Sequence, residues 1–354
     1  MSKYWSERAK GLEPYVPGEQ PKDKQFIKLN TNESPYPCSQ KALDAMHQAV
    51  SADLRLYPDP NADELKQAIA DLYDVSKKNV FVGNGSDEVL AHAFVGLLKQ
   101  PKKLLYPDIS YSFYPVYCSL FGIDAIPVPL DEHFAINPSD YQQDNGAIIF
   151  PNPNAPTGIA LPLNEIREIL DNNPDSPVLV DEAYIDFGGD TAISLIERYD
   201  NLLVVQTLSK SRSLAGIRVG FAVGHEALIE SLERVKNSFN SYPLGRIEQS
   251  GATAAINDVA HFEDCRHKII HTRENTTAAL VNIGFKVLPS SANFVFAKPP
   301  AGVSAESLYL ELKEQGVLVR YFNKPRISEY LRITIGTDDE MDVLMTHLNL
   351  IISA

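Results

Sequence analysis

The chain has 354 residues, 44% hydrophobic and 22% charged, the ordinary balance of a folded globular protein long enough for two domains. Its 46 acidic against 32 basic residues leave a formal charge of −14, which argues against nucleic acid or an anionic membrane as partner, since both select a basic face. Three cysteines without a Cys-x-x-Cys pair, no secretory leader and no apolar run of ~18 residues lead to the expectation of a cytoplasmic enzyme.

In chain order, residues 1–30 are Pro-rich and polar and are expected to form an arm. Residues 39–50 and 63–73 carry helical apolar spacing, and 78–98 predict a short strand, a Gly-rich turn and a helix. Apolar runs at 102–107, 147–153, 177–184, 201–207 and 219–224 are bounded by turn residues, as buried strands of a mostly parallel sheet are. This alternation predicts an α/β domain over 31–244, with a sheet of the seven-stranded type flanked by helices. Beyond Leu244 the texture changes. One long helical stretch (249–283), strand-like pieces at 285–299, 317–322 and 330–336, a helix at 305–316 and a last helix predict a smaller α+β domain over 245–354.

The chemically informative segment is 207–220, just after the apolar run 201–207. Lys210 stands among small hydroxyl residues (Thr207, Ser209, Ser211), with Arg218 eight positions on and Gly220 behind it. A lysine whose ammonium is destabilised can form an imine with an aldehyde, and the hydroxyls with a planar arginine fork suit a phosphate. Gly83-Asn-Gly-Ser-Asp-Glu88 opens a predicted helix after a strand, where free N–H groups accept phosphate. Its spacing is not the Gly-x-Gly-x-x-Gly of a dinucleotide site. Taken singly, each feature has a bland alternative: a solvated lysine, a capped turn, a helix cap for Asp181, core packing for Tyr184.

Their extended pattern and order are similar to the fold-type I pyridoxal 5′-phosphate (PLP) aminotransferase family. Leu29–Pro35, Tyr57-Pro-Asp-Pro60, Gly83–Glu88, Pro151–Gly158, Asp181–Phe187 and Ser209–Arg218 most resemble its histidinol-phosphate aminotransferase branch. The resemblance runs from Tyr15 to Thr337. It implies PLP as cofactor, linked to Lys210, with its phosphate on Gly85, Ser86, Asp87, Thr207, Ser209 and Arg218. It gives Asp181 the pyridine nitrogen, Asn154 and Tyr184 the 3′-oxygen, and Tyr111 the ring face. Lys210, Asp181 and Tyr184 form the catalytic set. Tyr57 is expected to reach the phosphate of a neighbouring subunit's cofactor, hence a homodimer. Tyr15, Asn32, Arg320 and Arg332 are expected to hold small-molecule substrates, an amino donor and a phosphorylated keto acceptor. Aromatic amino-acid transamination and threonine-phosphate decarboxylation would keep the same cofactor residues. A PLP-binding regulator would need a DNA-binding domain for which the arm is too short. His261, Cys265, His267 and His271 share one predicted helix, but the stretch is charged and no metal site is expected.

Overall fold

The computed structural model describes residues 2–16, 18–21 and 25–353. In the arm, β1 is Ile27–Lys28. Seven strands build the larger sheet: β2 (Val80–Asn84), β3 (Leu104–Pro107), β4 (Ala125–Val128), β5 (Ala147–Pro151), β6 (Val178–Asp181), β7 (Leu202–Thr207) and β8 (Val219–Gly224). Their order is β2-β8-β7-β6-β5-β3-β4; β8 runs antiparallel to both neighbours and the other pairs are parallel. The mostly parallel α/β sheet expected from the apolar runs is therefore present. Edge strand β4 escaped the sequence reading: it is short, interrupted by Pro127 and only partly buried.

Alternate side chains of these strands feed opposite cores. Ile148 and Phe150 of β5 join one cluster with Val178, Val180 and Val204, while Ala147 and Ile149 join the other with Leu179, Leu203 and Val205. Burial on both faces is why the strands are continuously apolar rather than alternating. The parallel run aligns the carboxyl ends of β5, β6 and β7, so Pro151, Asp181 and Thr207 emerge at one edge, the usual ligand crevice of such sheets.

The smaller sheet holds β9 (Lys286–Val287), β10 (Phe294–Lys298), β12 (Arg320–Tyr321) and β13 (Leu331–Thr334) in the antiparallel order β12-β13-β10-β9. A third core lies beneath it. The stretch 317–322 divides: β11 (Val317–Leu318) leaves to pair in parallel with β1 of the arm. The helical stretch expected at 249–283 is likewise two helices, Arg246–Asn257 and Val259–Asn282. They part at Asp258, whose backbone leaves helical geometry and whose carboxylate accepts from Lys41 Nζ at 2.9 Å. The first of them packs on helices Gln40–Ala49 and Asp63–Tyr73. Among the described residues no helix is long and apolar enough to cross a membrane.

Phe150 is wholly buried between these layers. Phe150→Ala should cost about 3–5 kcal/mol of unfolding free energy in a urea titration; a cost below ~1 kcal/mol would mean that the strand is not central to the core.

Candidate active site

A cavity of about 440 Å³ opens at the carboxyl edge of the larger sheet, between it, the smaller sheet and the arm. Its walls include Tyr15, Asn32, Ser86, Asp87, Tyr111, Asp181, Tyr184, Thr207, Ser209, Lys210, Arg218, Arg320 and Arg332. Residues spread over three hundred positions of chain thus meet at one place.

Gly85 opens helix Gly85–Ala93 in the left-handed region (φ 76°). A Cβ there would stand 2.7 Å from the Arg218 guanidinium, so glycine allows arginine to lie over the helix N-terminus. Gly220 is the other close approach: a Cβ on it would be 2.3 Å from Ser86 N. The antiparallel strand β8 can therefore lie directly against the turn. Arg218 donates to Asp87 Oδ2 at 2.9 Å, and Tyr111 Oη donates to Asp87 Oδ1 at 2.9 Å. Thr207 Oγ1 and Ser209 Oγ are 3.0 Å apart. The helix N-terminus, two hydroxyls and a guanidinium make a cradle for a dianionic phosphate.

Asp181 closes β6. Tyr114 Oη donates to its Oδ2 at 2.9 Å, while its Oδ1 is buried with no partner among the described residues. Burial pushes this carboxyl up to about 6. Glu182, beside it, faces away into a network of Thr191, Ala192 N and Gln206, and burial takes it up to about 7. An orphaned carboxylate oxygen in a cavity demands a ligand cation or N–H, as a protonated pyridine nitrogen would supply. Asn154 is buried behind the cavity wall, its Nδ2 held by Ile109 O and Thr157 Oγ1 and its Oδ1 without a partner among the described residues; both amide hydrogens are used, so none is left for the 3′-oxygen expected of it. The donor set fits PLP.

Lys210 Nζ donates to the Thr31 carbonyl at 3.2 Å and lies 5.9 Å from the Tyr184 ring centre. Burial first, then the Arg332 charge, lower its ammonium to about 8. Tyr184 accepts from Asn32 Nδ2 at 3.0 Å. Across the smaller sheet Arg320 and Arg332 are direct partners in register. Arg332 donates to Asn30 O at 2.8 Å, but its Nε is buried with no partner among the described residues. Like charges set opposite each other on one face repel unless an anion lies between them. Tyr15 packs on Phe113 (4.9 Å) and Tyr111 (6.4 Å) over the mouth; Pro17 of the same arm motif lies outside the described residues.

Tyr57 is apart from all of this, 77% exposed and stacked on Tyr242 at 4.6 Å. The helix 259–282 histidines keep local company: His261 meets Cys265 and Pro37 O, His267 meets Glu263, His271 meets Asn275. Among the described residues no group of three or more potential ligands converges on a metal position. Sequence reasoning missed Tyr114 as Asp181's donor, although it follows Tyr111 by three residues and opens the helix Tyr114–Phe121. It also missed Thr31 and the bridge from Arg326 to Asp108 (3.2 Å) across the cavity mouth.

Fold and cavity together define a transferase site with a lysine, a phosphate cradle and a cationic far wall, and comparison with known proteins agrees. Residues 24–348 match the model of the aminotransferase class I and II family, and the chain belongs to that family. It is 60% identical to histidinol-phosphate aminotransferase 2 of Rhizobium meliloti (strain 1021), over 99% of both chains. It is 59% identical to histidinol-phosphate aminotransferase of Pseudomonas syringae pv. syringae (strain B728a), again over 99% of both. The crystal structure of histidinol-phosphate aminotransferase from Sinorhizobium meliloti in complex with pyridoxal-5′-phosphate superposes with a TM-score of 0.90, covering 100% of this chain and 98% of that one. At 22% identity that likeness establishes the fold.

Asp181 and Glu182 have folded pKa values above their unfolded ones, so the folded chain keeps protons that the unfolded chain releases. Without cofactor, stability should fall as pH rises from about 4 toward about 7, by on the order of 1–3 kcal/mol per group. Asp181→Asn should flatten its share below pH 6; urea midpoints that follow the wild-type pH dependence would refute the placement.

Proposed function

We propose that this chain is a PLP-dependent aminotransferase that interconverts histidinol phosphate and 2-oxoglutarate with imidazole-acetol phosphate and glutamate. The observation that carries the reading is the pairing, in one cavity, of the Lys210 amine with the unpartnered Asp181 oxygen. The names of the close relatives support the substrate.

PLP, when bound, supplies an aldehyde for amines and a ring that delocalises the electron pair left on the substrate's Cα. The chain's residues supply the rest. Gly85, Ser86, Asp87, Thr207, Ser209 and Arg218 anchor the phosphate, through backbone amides, hydroxyls and guanidinium. Asp181 takes the ring nitrogen, and its burial makes a charge-assisted bond there stronger than in water. Tyr111 covers one ring face and Tyr184 addresses the 3′-oxygen, while Asn154 braces the wall behind it through Ile109 O and Thr157 Oγ1. Lys210 is released when an amino donor arrives, and its amine then takes the Cα proton and returns it one carbon away. An ammonium near 8 leaves enough free base at neutral pH for the first transfer and enough acidity for the second. Arg320 and Arg332 bind the substrate anions, whether donor carboxylate or acceptor phosphate. Asn32 steadies Tyr184, and Tyr15 with the arm limits water above the site.

We read the functional unit as a homodimer. Tyr57 and Tyr242 stack on each other while exposed, and Leu54, Leu56 and Phe239, their neighbours in sequence, are large apolar residues left exposed too, as on surfaces that another chain covers. A second copy would cover them and bring Tyr57 toward the phosphate cradle of its neighbour. Light scattering after gel filtration should give twice the chain mass, and Tyr57→Asp should shift it toward the monomer; a monomeric wild type would end this part of the reading. A cytoplasmic location follows from the same biosynthetic role.

Purified protein given PLP should show the visible band of a lysine-linked cofactor, and histidinol phosphate should bleach it. Lys210→Ala should abolish the band and lower turnover by at least ~10²–10⁴-fold. Bleaching by glutamate or phenylalanine but never by histidinol phosphate would overturn the substrate; absence of any band would overturn the cofactor.

A further inference from the structure

The acceptor for the Lys210 amine comes from the arm, not from the sheet. Thr31 O, 179 positions before Lys210, takes the bond at 3.2 Å. The turn that presents it is fastened from several directions. Thr31 Oγ1 donates to Glu33 Oε2 at 2.8 Å, and Lys28 Nζ reaches the same carboxylate at 2.8 Å (Oε1) and 2.6 Å (Oε2). Asn32, at φ 56°, donates its N–H to Thr334 Oγ1 at 3.0 Å, and its carbonyl accepts from Asn293 Nδ2 at 3.0 Å. Ser213, from the loop that carries Lys210, donates to Ser34 Oγ at 2.8 Å.

The charges facing Lys210 are Glu33 of this turn, Asp87 of the phosphate turn, Arg218 of the loop leading into β8 and Arg332 of β13. The two arginines oppose an ammonium and the two carboxylates favour it. Both carboxylates are paired, Asp87 with Arg218 and Glu33 with Lys28, but of the two only Glu33 is bonded within the turn that Lys210 touches.

Resting on the transaminase reading, we propose that Glu33 is a positioning residue for Lys210: it clamps Thr31 so that the Thr31 carbonyl holds the free lysine between its two proton transfers. A released lysine has four rotatable bonds, and confining it costs about 2 kcal/mol of rotamer freedom. A fixed carbonyl offsets part of that cost. When neutral Lys210 removes the Cα proton, the C–H electron pair stays behind on substrate and cofactor. The ammonium so formed is the species that the carbonyl and the Glu33 charge hold. It then gives the same proton to the neighbouring carbon and returns to the neutral amine. Glu33 exchanges no proton and touches no substrate.

The test is a titration of Lys210 itself in full-length protein freed of cofactor: trace acetylation with acetic anhydride across pH, followed by mass spectrometry of the Lys210 peptide. Wild-type reactivity should rise with a midpoint near about 8. Glu33→Gln keeps the shape and an acceptor for Thr31 but removes the anion, so the midpoint should fall by roughly half a pH unit. Thr31→Val loses the clamp and should raise Lys210 reactivity across the range, while Thr31→Ser should restore the wild-type curve. Coincident curves for wild type and Glu33→Gln, or, should that variant not fold, for wild type and Thr31→Val, would overturn the proposal. PLP added to the same samples separates the two ideas. Wild type that gains no visible band defeats the transaminase reading, whereas a normal band with coincident curves defeats only the role of Glu33.

Discussion

A carboxylate buried with one oxygen unpaired is the constraint on which the site depends. Asp181 lies at the end of β6 at 3% exposure, with Tyr114 on one oxygen and, among the described residues, no partner on the other. Left so, it is costly, because a buried acceptor loses water without gaining a partner. The sheet supports the cost: β6 is flanked by β5 and β7 and buried on both faces, so the strand end cannot relax toward solvent. What the fold gains is a fixed anion aimed into a cavity, whose ligand is held more strongly because the surroundings are dry. The same logic applies to Lys210, whose amine is kept from full protonation by burial and by Arg332.

Much of this was legible because the chemistry is concentrated at strand ends. Apolar runs predicted β5, β6 and β7, and the residues following them (Asp181, Thr207 to Lys210) had to fall together once the strands were parallel. The glycines at 85 and 220 were visible as motif letters; that one seats a guanidinium and the other admits an amide turn required the geometry. What stayed illegible depends on distant pieces of chain meeting. Thr31 touches Lys210, Asn32 touches Tyr184 and Thr334, and β1 pairs with β11, contacts whose partners lie 152 to 302 positions apart. No local periodicity encodes such pairings. A strand of two residues carries no pattern, and a backbone carbonyl used as an acceptor leaves no mark on residue type.

The arm shows why. It lacks a core of its own and gains order from both sides of the cavity. Glu19 bonds Tyr309 and Lys313 of the Ala305–Glu314 helix, while Tyr15 packs on Phe113 above the larger sheet. Its polar, Pro-rich composition suits a segment that crosses an opening, where a hydrophobic stripe would have no layer to join. The arm is therefore a wall of the site as well as a tether between the two sheets.

The acidic surface and the cationic cavity are compatible for a related reason. Six cations line the cavity (Lys210, Arg218, Arg320, Lys324, Arg326 and Arg332) against Asp87, Asp108 and Asp181. Asp87 and Asp108 are each paired to an arginine, which fixes those guanidinium groups in place. At physiological salt, exposed charges are screened beyond about 8 Å. The acidic excess behind the chain's formal charge of −14 lies outside the cavity and therefore reaches it weakly. Inside the cavity the local field is instead that of Arg320 and Arg332, which the register of β12 and β13 sets opposite each other. An anion entering there would relieve their mutual repulsion, so the register of two short strands makes this wall of the cavity favourable to negative charge whatever the sign of the outer surface.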